Sequence, residues 1–219
     1  ISFMKTKILL LCGLLLTGIS CKKDKQWPYP TCGLISYLNF DDNLKDQKGY
    51  VADGIGSADF VTGKIGKALS FNGVNQQLNF IPQIAQSNTH ITMSLWVKDV
   101  TDDGSKSFMS GNGFQLSSSS ISVTFSMATQ SANTFAVAGP NSINQWTHVV
   151  STYDGTNMHI YINGAWVASK NNPSSTADFN SSLIFGVDQA SYWAGSIDEL
   201  YIYNRALSQA EVTQLYNMK

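Results

Sequence analysis

Glutamate and arginine are nearly missing from this chain. Only Glu199 and Glu211 among its 15 acidic residues are glutamates, and Arg205 is the sole arginine among 14 basic ones. Both are good helix formers, so their scarcity leaves little material for long amphipathic helices. Charged residues fill only 13% of the 219 positions, and the formal net charge is −1. That near-neutral balance argues against nucleic-acid binding, which normally needs a basic face. No apolar run reaches the roughly 20 residues that a membrane-crossing helix requires. A serine-nucleophile motif, a P-loop and a Gly-x-Gly-x-x-Gly fingerprint are missing too. Ser, Asn, Thr, Asp and Gly are plentiful, and 43% of residues are hydrophobic. Such a composition suits strands joined by turns around a sizeable core. An all-β chain of this length is usually one domain.

The first residues read as an address. Met4 is the expected start, and Lys5 and Lys7 form a basic segment before the apolar run Ile8 to Leu16. That run is too short to span a bilayer and has the length of a signal-peptide core. It ends in Thr17-Gly18-Ile19-Ser20-Cys21-Lys22-Lys23-Asp24. Small residues before a cysteine resemble a bacterial lipobox, of the kind seen in lipoproteins of the Bacteroidetes type. The resemblance makes residues 1–20 a lipoprotein signal peptide and Cys21 the lipidated N-terminus; an ordinary secretory signal with an incidental cysteine is the alternative. Acyl chains contribute about 0.8 kcal/mol per buried methylene. A multiply acylated Cys21 would therefore tether the protein to the bacterial cell envelope, at the outer membrane on its periplasmic or surface face, without spanning it. Removing residues 1–20 leaves 199 residues with 12 basic and 15 acidic side chains, a net charge of −3. It also leaves Cys32 without a partner, so the expectation is a domain with no disulfide and a non-catalytic Cys32. Residues 21–32, with Pro28 and Pro30, read as the lipidated terminus and an extended linker, with Trp27 and Tyr29 able to pack on the domain edge. The domain proper is then 33–219.

From Leu34 onward apolar residues recur every second position, which is the strand period. Ile91, Met93, Leu95 and Val97 share one face, and Trp96 points to the other, under a covering loop or into a groove. Trp146 to Tyr153 and Met158 to Ala168 form three antiparallel strands, because Asn163-Gly164 between alternating runs is a type I′ turn signal. Ile121, Val123 and Phe125 alternate, although the stretch 101–144 is the least legible. Leu183 to Gly186 and Ile197 to Tyr203 supply the last strands. Ser208 to Glu211 is a capping box that starts one short helix with Val212, Leu215 and Tyr216 on its apolar face. The fold class is therefore all-β: a two-sheet antiparallel jelly-roll sandwich with a short C-terminal helix.

Several of these segments resemble one family. They are Tyr37 to Asp42 with Asp46, Gly66 to Gly73, Ile91 to Val97, Trp146 to Gly164 and Gly195 to Ser208. In this order they look like the laminin-G-like, concanavalin A-like lectin/glucanase sandwich of bacterial surface proteins. The resemblance implies a structural Ca²⁺, with Asp198 as the best side-chain ligand and Asp41, Asn72 and Gly73 as further candidates. The alternative is that Asp198 bonds backbone amides or pairs with a lysine. Zinc is not expected, since His90, His148 and His159 share no ligand spacing.

Glucanases of the superfamily use a Glu-x-Asp-x-x-Glu strand. Here Glu199 and Glu211 lie twelve apart, and neighbouring Asp198 and Glu199 should face opposite ways on a strand. The expectation is a non-catalytic protein, since a hydrolase would need loop aspartates such as Asp102, Asp103 or Asp188. Sugar binding by sandwiches joins flat aromatics to amide and carboxylate groups. Tyr192 and Trp193 before the last strand are the candidate ligand contacts, with inward packing the competing role for Trp193. Trp166 could be core or rim. The expected partner is a glycan or polysaccharide, or alternatively a surface protein in an adhesin or envelope-assembly role.

Overall fold

Alternation of apolar and polar residues commits most of the chain to strands, and turn residues decide where each one ends. The computed structural model describes residues 28–56, 59–82, 90–102, 104–128, 134–172, 175, 177–179 and 181–218. The expected signal segment, Cys21, Trp27 and Asp103 lie outside these residues. In chain order the strands are β1 (Leu34–Leu38), β2 (Asp53–Ile55), β3 (Asp59–Thr62), β4 (Lys67–Asn72), β5 (Gln77–Phe80) and β6 (Ile91–Asp99). There follow β7 (Lys106–Gly111), β8 (Phe114–Ser118), β9 (Ser122–Ala128), β10 (Thr134–Pro140), β11 (Thr147–Tyr153) and β12 (Asn157–Ile162). The last are β13 (Ala165–Asn171), β14 (Leu183–Phe185), β15 (Val187–Asp188), β16 (Ser191–Tyr192) and β17 (Ala194–Tyr203), before helix α1 (Gln209–Tyr216).

Two antiparallel sheets form the sandwich. The eight-stranded sheet runs β13-β12-β11-β6-β17-β4-β3 with β1 also paired to β17, and the seven-stranded sheet runs β10-β9-β8-β7-β14-β5-β2. Asn163 and Gly164 both have positive φ, 51° and 79°, as a type I′ hairpin requires. Leu69, Met93, Leu95, Ile160, Ile197 and Leu200 from the larger sheet meet Leu78, Phe80, Phe108, Leu116, Phe125 and Phe185 from the smaller. Each such burial stabilises the fold by about 1.5–3 kcal/mol.

The two sheets differ on their outer faces. Strands β6, β11 and β17 are buried almost throughout, because α1 covers the larger sheet through Val212 and Leu215 against Val150, Tyr161, Tyr201 and Tyr203. Trp96 is accordingly covered: Tyr216 stacks on it at 5.6 Å and the Lys64 Nζ sits 4.4 Å over its ring. Strands β8 and β9 keep strict alternation of buried and part-exposed residues, so the outer face of the smaller sheet stays open.

Helix α1 begins where its sequence says it should. Ser208 and Glu211 form the capping box, and Glu211 also accepts both arms of the Arg205 guanidinium at 2.9 and 2.6 Å. The segment before β1 is docked on this layer, not extended away from it. The Tyr29 ring lies 5.4 Å from Tyr37 and 5.2 Å from Tyr201, and the Pro28 carbonyl accepts from Gln214 Nε2 at 3.0 Å. Packing thus already includes Pro28 and Tyr29, ahead of the expected domain start at residue 33, because apolar tyrosine faces outcompete a solvated linker.

Three further expectations change. Cys32 is disulfide-bonded, not a free thiol. Strands β2, β3 and β10 and the β15–β16 hairpin appear where the apolar alternation was too weak to reveal them. Ile121 keeps the inward parity of Val123 and Phe125 but precedes β9 and is exposed.

Candidate functional site

The outer edge of β17 is shared. Residues 194–197 pair with β4, and residues 200–203 pair with β1. At the handover the register against β6 shifts between Asp198 and Tyr201, and Glu199 adopts φ 52°. This β-bulge inserts an extra residue, so Asp198 and Glu199 do not alternate across the sheet. Both carboxylates lie in the outer layer, against the expectation of opposite faces.

Asp198 is 0% exposed, and its Oδ2 accepts from the amides of Lys64 at 2.8 Å and Ile65 at 3.0 Å. Its Oδ1 is buried without a hydrogen-bond partner. Burial, reinforced by the neighbouring Glu199 charge and opposed by the amides, raises its pKa to about 7. Glu199 accepts from the Tyr37 hydroxyl at 3.0 Å and the Tyr201 hydroxyl at 2.7 Å, and burial raises its pKa as well. Tyr37 and Tyr201 stack over this carboxylate with centroids 4.3 Å apart.

Asp41 holds the other side of the same turn. Its Oδ1 accepts from the Lys67 amide and its Oδ2 from Asn39 Nδ2, both at 2.8 Å. The turn can come this close only because it carries Gly63 and Gly66: a Cβ there would stand 2.6 Å from Asp198 Oδ2 and 2.3 Å from Asp41 Oδ1. Asn72 and Gly73 are elsewhere. Asn72 pairs with Ala194, four residues along β17 from Asp198, or about 13 Å at strand spacing. Its side chain accepts from the Val74 and Asn75 amides and shapes that turn. The four residues expected around one calcium ion therefore do not converge. Among the described residues, no group of three or more His, Cys, Asp or Glu side chains is placed to hold a metal.

The two predicted aromatic contacts separate. Trp193 is 2% exposed, packs on Phe71 and Phe108 at 5.9 and 5.8 Å, and donates through Nε1 to Asp99. It is a core residue, and its faces are not open to a ligand. Tyr192 is part-exposed on the small β15–β16 hairpin. Trp166, by contrast, is 54% exposed and belongs to the rim.

The open face of the smaller sheet carries a groove instead. Strand register sets Asp53, Asn79, Ile184, Ser110, Gln115 and Ser126 side by side across β2, β5, β14, β7, β8 and β9. Five interstrand steps give this row a length of about 24 Å. Two adjoining hollows of about 580 and 460 Å³ lie along it and share Ser182 and Ile184. Tyr50, 45% exposed, and Ile81 flank the β2–β5 end. At the other end Gln115 Nε2 donates to Asp188 Oδ2 at 2.7 Å. Hydroxyls, amides and carboxylates set beside an exposed aromatic ring suit a polyhydroxylated ligand.

The sequence matches the concanavalin A-like lectin/glucanases superfamily, as Laminin_G_3, over residues 72–213. The chain belongs to that superfamily. Among solved structures, domain 4 of AbnA, a GH43 extracellular arabinanase from Geobacillus stearothermophilus, in complex with arabinotriose, is similar with a TM-score of 0.71 and 25% identity. The match covers 84% of this chain and 98% of that one. The binding domain of botulinum neurotoxin DC in complex with SialylT gives a TM-score of 0.71 at 17% identity, over 84% of this chain and 51% of that one. The same binding domain in complex with rat synaptotagmin II gives 0.70 at 16% identity, with the same coverage. This chain spans about half the length of the toxin domains, and at those identities the likeness is one of fold. A comparison with curated proteins finds no match.

In this concanavalin A-like sandwich the exposed aromatic lining the groove is Tyr50, which no sequence pattern singled out. Asp53, Asn79 and Gln115 were equally hidden. The outward positions of β8 and β9, Gln115, Ser117, Thr124 and Ser126, are polar at every second residue, and that alternation is the signal that could have marked the open face.

Proposed function

We propose that this concanavalin A-like domain is a non-catalytic carbohydrate-binding module and that the groove on its seven-stranded sheet is the glycan site. The observation that carries this reading is the polar row from Asp53 to Ser126 on the one sheet face left open, with Tyr50 exposed beside it. The arabinanase domain solved with arabinotriose supports it from outside. Asp198 and Glu199, the carboxylates nearest to a glucanase pair in sequence, are sealed beneath the Gly63–Lys67 turn and the tyrosines, where no substrate reaches them. A toxin domain solved with synaptotagmin keeps a protein partner as the rival. Tyr50→Ala and Gln115→Ala should each weaken glycan binding at least about tenfold, because stacking and hydrogen bonds of this kind are worth roughly 1–2 kcal/mol each. A glycan array followed by calorimetry on the variants decides. No glycan binding, together with a co-purifying protein, would favour the rival.

Two further proposals concern the setting of the domain. The unpartnered Asp198 Oδ1, with Asp41 across the same turn, leaves room for a calcium role confined to that end of β4. A rise in melting temperature with Ca²⁺, reversed by chelator and lost in Asp198→Asn, is the expected result, and an unchanged midpoint rejects it. The second is a lipid anchor at Cys21. Cys32 is disulfide-bonded, so the anchor requires that this bond leave the Cys21 sulfur free for acylation. A lipid-anchored protein should show an acylated Cys21 at its mature N-terminus by mass spectrometry. A Cys21–Cys32 disulfide would overturn the anchor.

A further inference from the structure

We infer that the groove takes an extended, uncharged glycan chain and discriminates against anionic ones. This deepens the glycan reading and rests on it. Among the described residues, the lining of both hollows contains no lysine, arginine or histidine, while each hollow has one carboxylate, Asp53 in one and Asp188 in the other. The nearby Lys106 Nζ donates to Ser191 Oγ at 3.1 Å and is not among the lining residues. Asp188 is fixed over the row by Gln115, so its charge faces whatever lies there. An acidic sugar would meet two like charges and no countercharge, and like-charge juxtaposition in a partly desolvated groove is a strong selector.

The remaining polar groups argue against a cationic chain as well. Asn79 and Gln115 carry amides, and Ser110, Ser126 and Ser182 carry hydroxyls, all of which both donate and accept. Sugar hydroxyls do the same, so a neutral chain can satisfy both halves of each group. An ammonium only donates and would leave the groove's own donors unpaired. Ile184 at the junction of the hollows and Tyr50 at one end provide apolar surface for the C–H faces of sugar rings.

Length follows from the same row. It crosses six strands over about 24 Å and continues to the exposed Ala136 on β10. A site of this shape holds a chain by its interior, not by one terminal sugar.

The test is calorimetry of the purified protein with neutral hexasaccharides (arabinohexaose, xylohexaose, laminarihexaose), their trimers, hexagalacturonate, sialyllactose and a chitosan hexamer. At least one neutral hexamer should bind, its trimer about tenfold or more weaker, and every charged ligand about tenfold or more weaker still. Asp53→Asn with Asp188→Asn should narrow the gap between neutral and anionic hexamers, chiefly by tightening the anionic ones. Tyr50→Ala should abolish most neutral binding. Tightest binding of hexagalacturonate, sialyllactose or chitosan, lost in Tyr50→Ala, overturns the charge selection and leaves the glycan reading standing. Equal affinity for trimer and hexamer overturns the extended mode. Neutral binding indifferent to both Tyr50→Ala and Gln115→Ala removes the site from this groove, and no binding to any glycan overturns both readings.

Discussion

Replacing His148 with glutamine is expected to cancel about 3 kcal/mol of acid destabilisation between pH 6.5 and pH 4. His148 is 2% exposed, packs against the rings of Trp96 and Tyr216 at 5.0 and 5.8 Å, and meets Ser94 Oγ through Nε2 at 3.0 Å. Its Nδ1 is buried without a partner. Burial, aided by the Lys64 charge, lowers its pKa from 6.5 to about 3. A depressed pKa means that the neutral imidazole is the form the fold holds. Its contribution is present above pH 6.5 and is lost as pH falls toward 3, because only the unfolded chain takes up the proton. Asp198 runs the other way: its raised pKa gives a contribution present below 3.8 and lost as pH rises through about 7. That term is common to both proteins and cancels between them. Urea unfolding at several pH values should show the wild type ahead at pH 7 and the gap closing toward pH 4. A gap independent of pH would show that the imidazole does not stay neutral in the folded state.

Asp99→Ala should cost at least about 3 kcal/mol, because it strips the acceptor from several donors at once. Asp99 ends β6 in the larger sheet and is buried. Its carboxylate accepts from Ser118 Oγ on β8 of the smaller sheet at 2.6 Å, from Trp193 Nε1 and from Asn141 Nδ2. Asn141 in turn accepts from Thr147 Oγ1 at 3.1 Å, so one carboxylate joins both sheets and two loops. Asp99→Asn keeps an acceptor toward Trp193 and should recover a good part of the loss. Chemical denaturation of the two variants beside Trp193→Phe checks the assignment. An Asp99→Ala midpoint matching the wild type would mean that the network rearranges at no cost.

Much of the sandwich was legible because its signals are local. Asn163-Gly164 needs only two residues to announce a hairpin, and Ser208 with Glu211 needs only one helical turn to announce a start. Apolar parity in β6, β8, β9 and β11 identifies inward faces without knowledge of their partners. Asp198 was legible only as a calcium ligand or, alternatively, an acceptor for backbone amides, and it accepts from two of them. A β-bulge set its direction and that of Glu199, and the bulge depends on the handover from β4 to β1, two strands more than 120 residues upstream. Trp193 and Tyr192 are neighbours in sequence, yet the hydrogen bond to Asp99 turns the first inward while the second stays on the small hairpin.

The sequence by itself therefore determined the all-β class, the Asn163-Gly164 hairpin and the capped helix, which follow from short-range periodicity and turn chemistry, while the superfamily was legible as a resemblance of five segments in order. Only the tertiary structure decided which sheet face is open and what stands on it. Helix α1 and the docked Tyr29 cover one sheet through contacts spanning the chain. The groove on the other is assembled from β2, β5, β7, β8, β9 and β14, whose order in space is not their order in sequence. Register between distant strands places Asp53, Asn79 and Gln115 in one row. That alignment arises from pairwise hydrogen bonding across the sheet, a long-range property that no local pattern encodes. The two glutamates whose scarcity first spoke against helices ended in structural posts, Glu199 under stacked tyrosines and Glu211 at the start of α1.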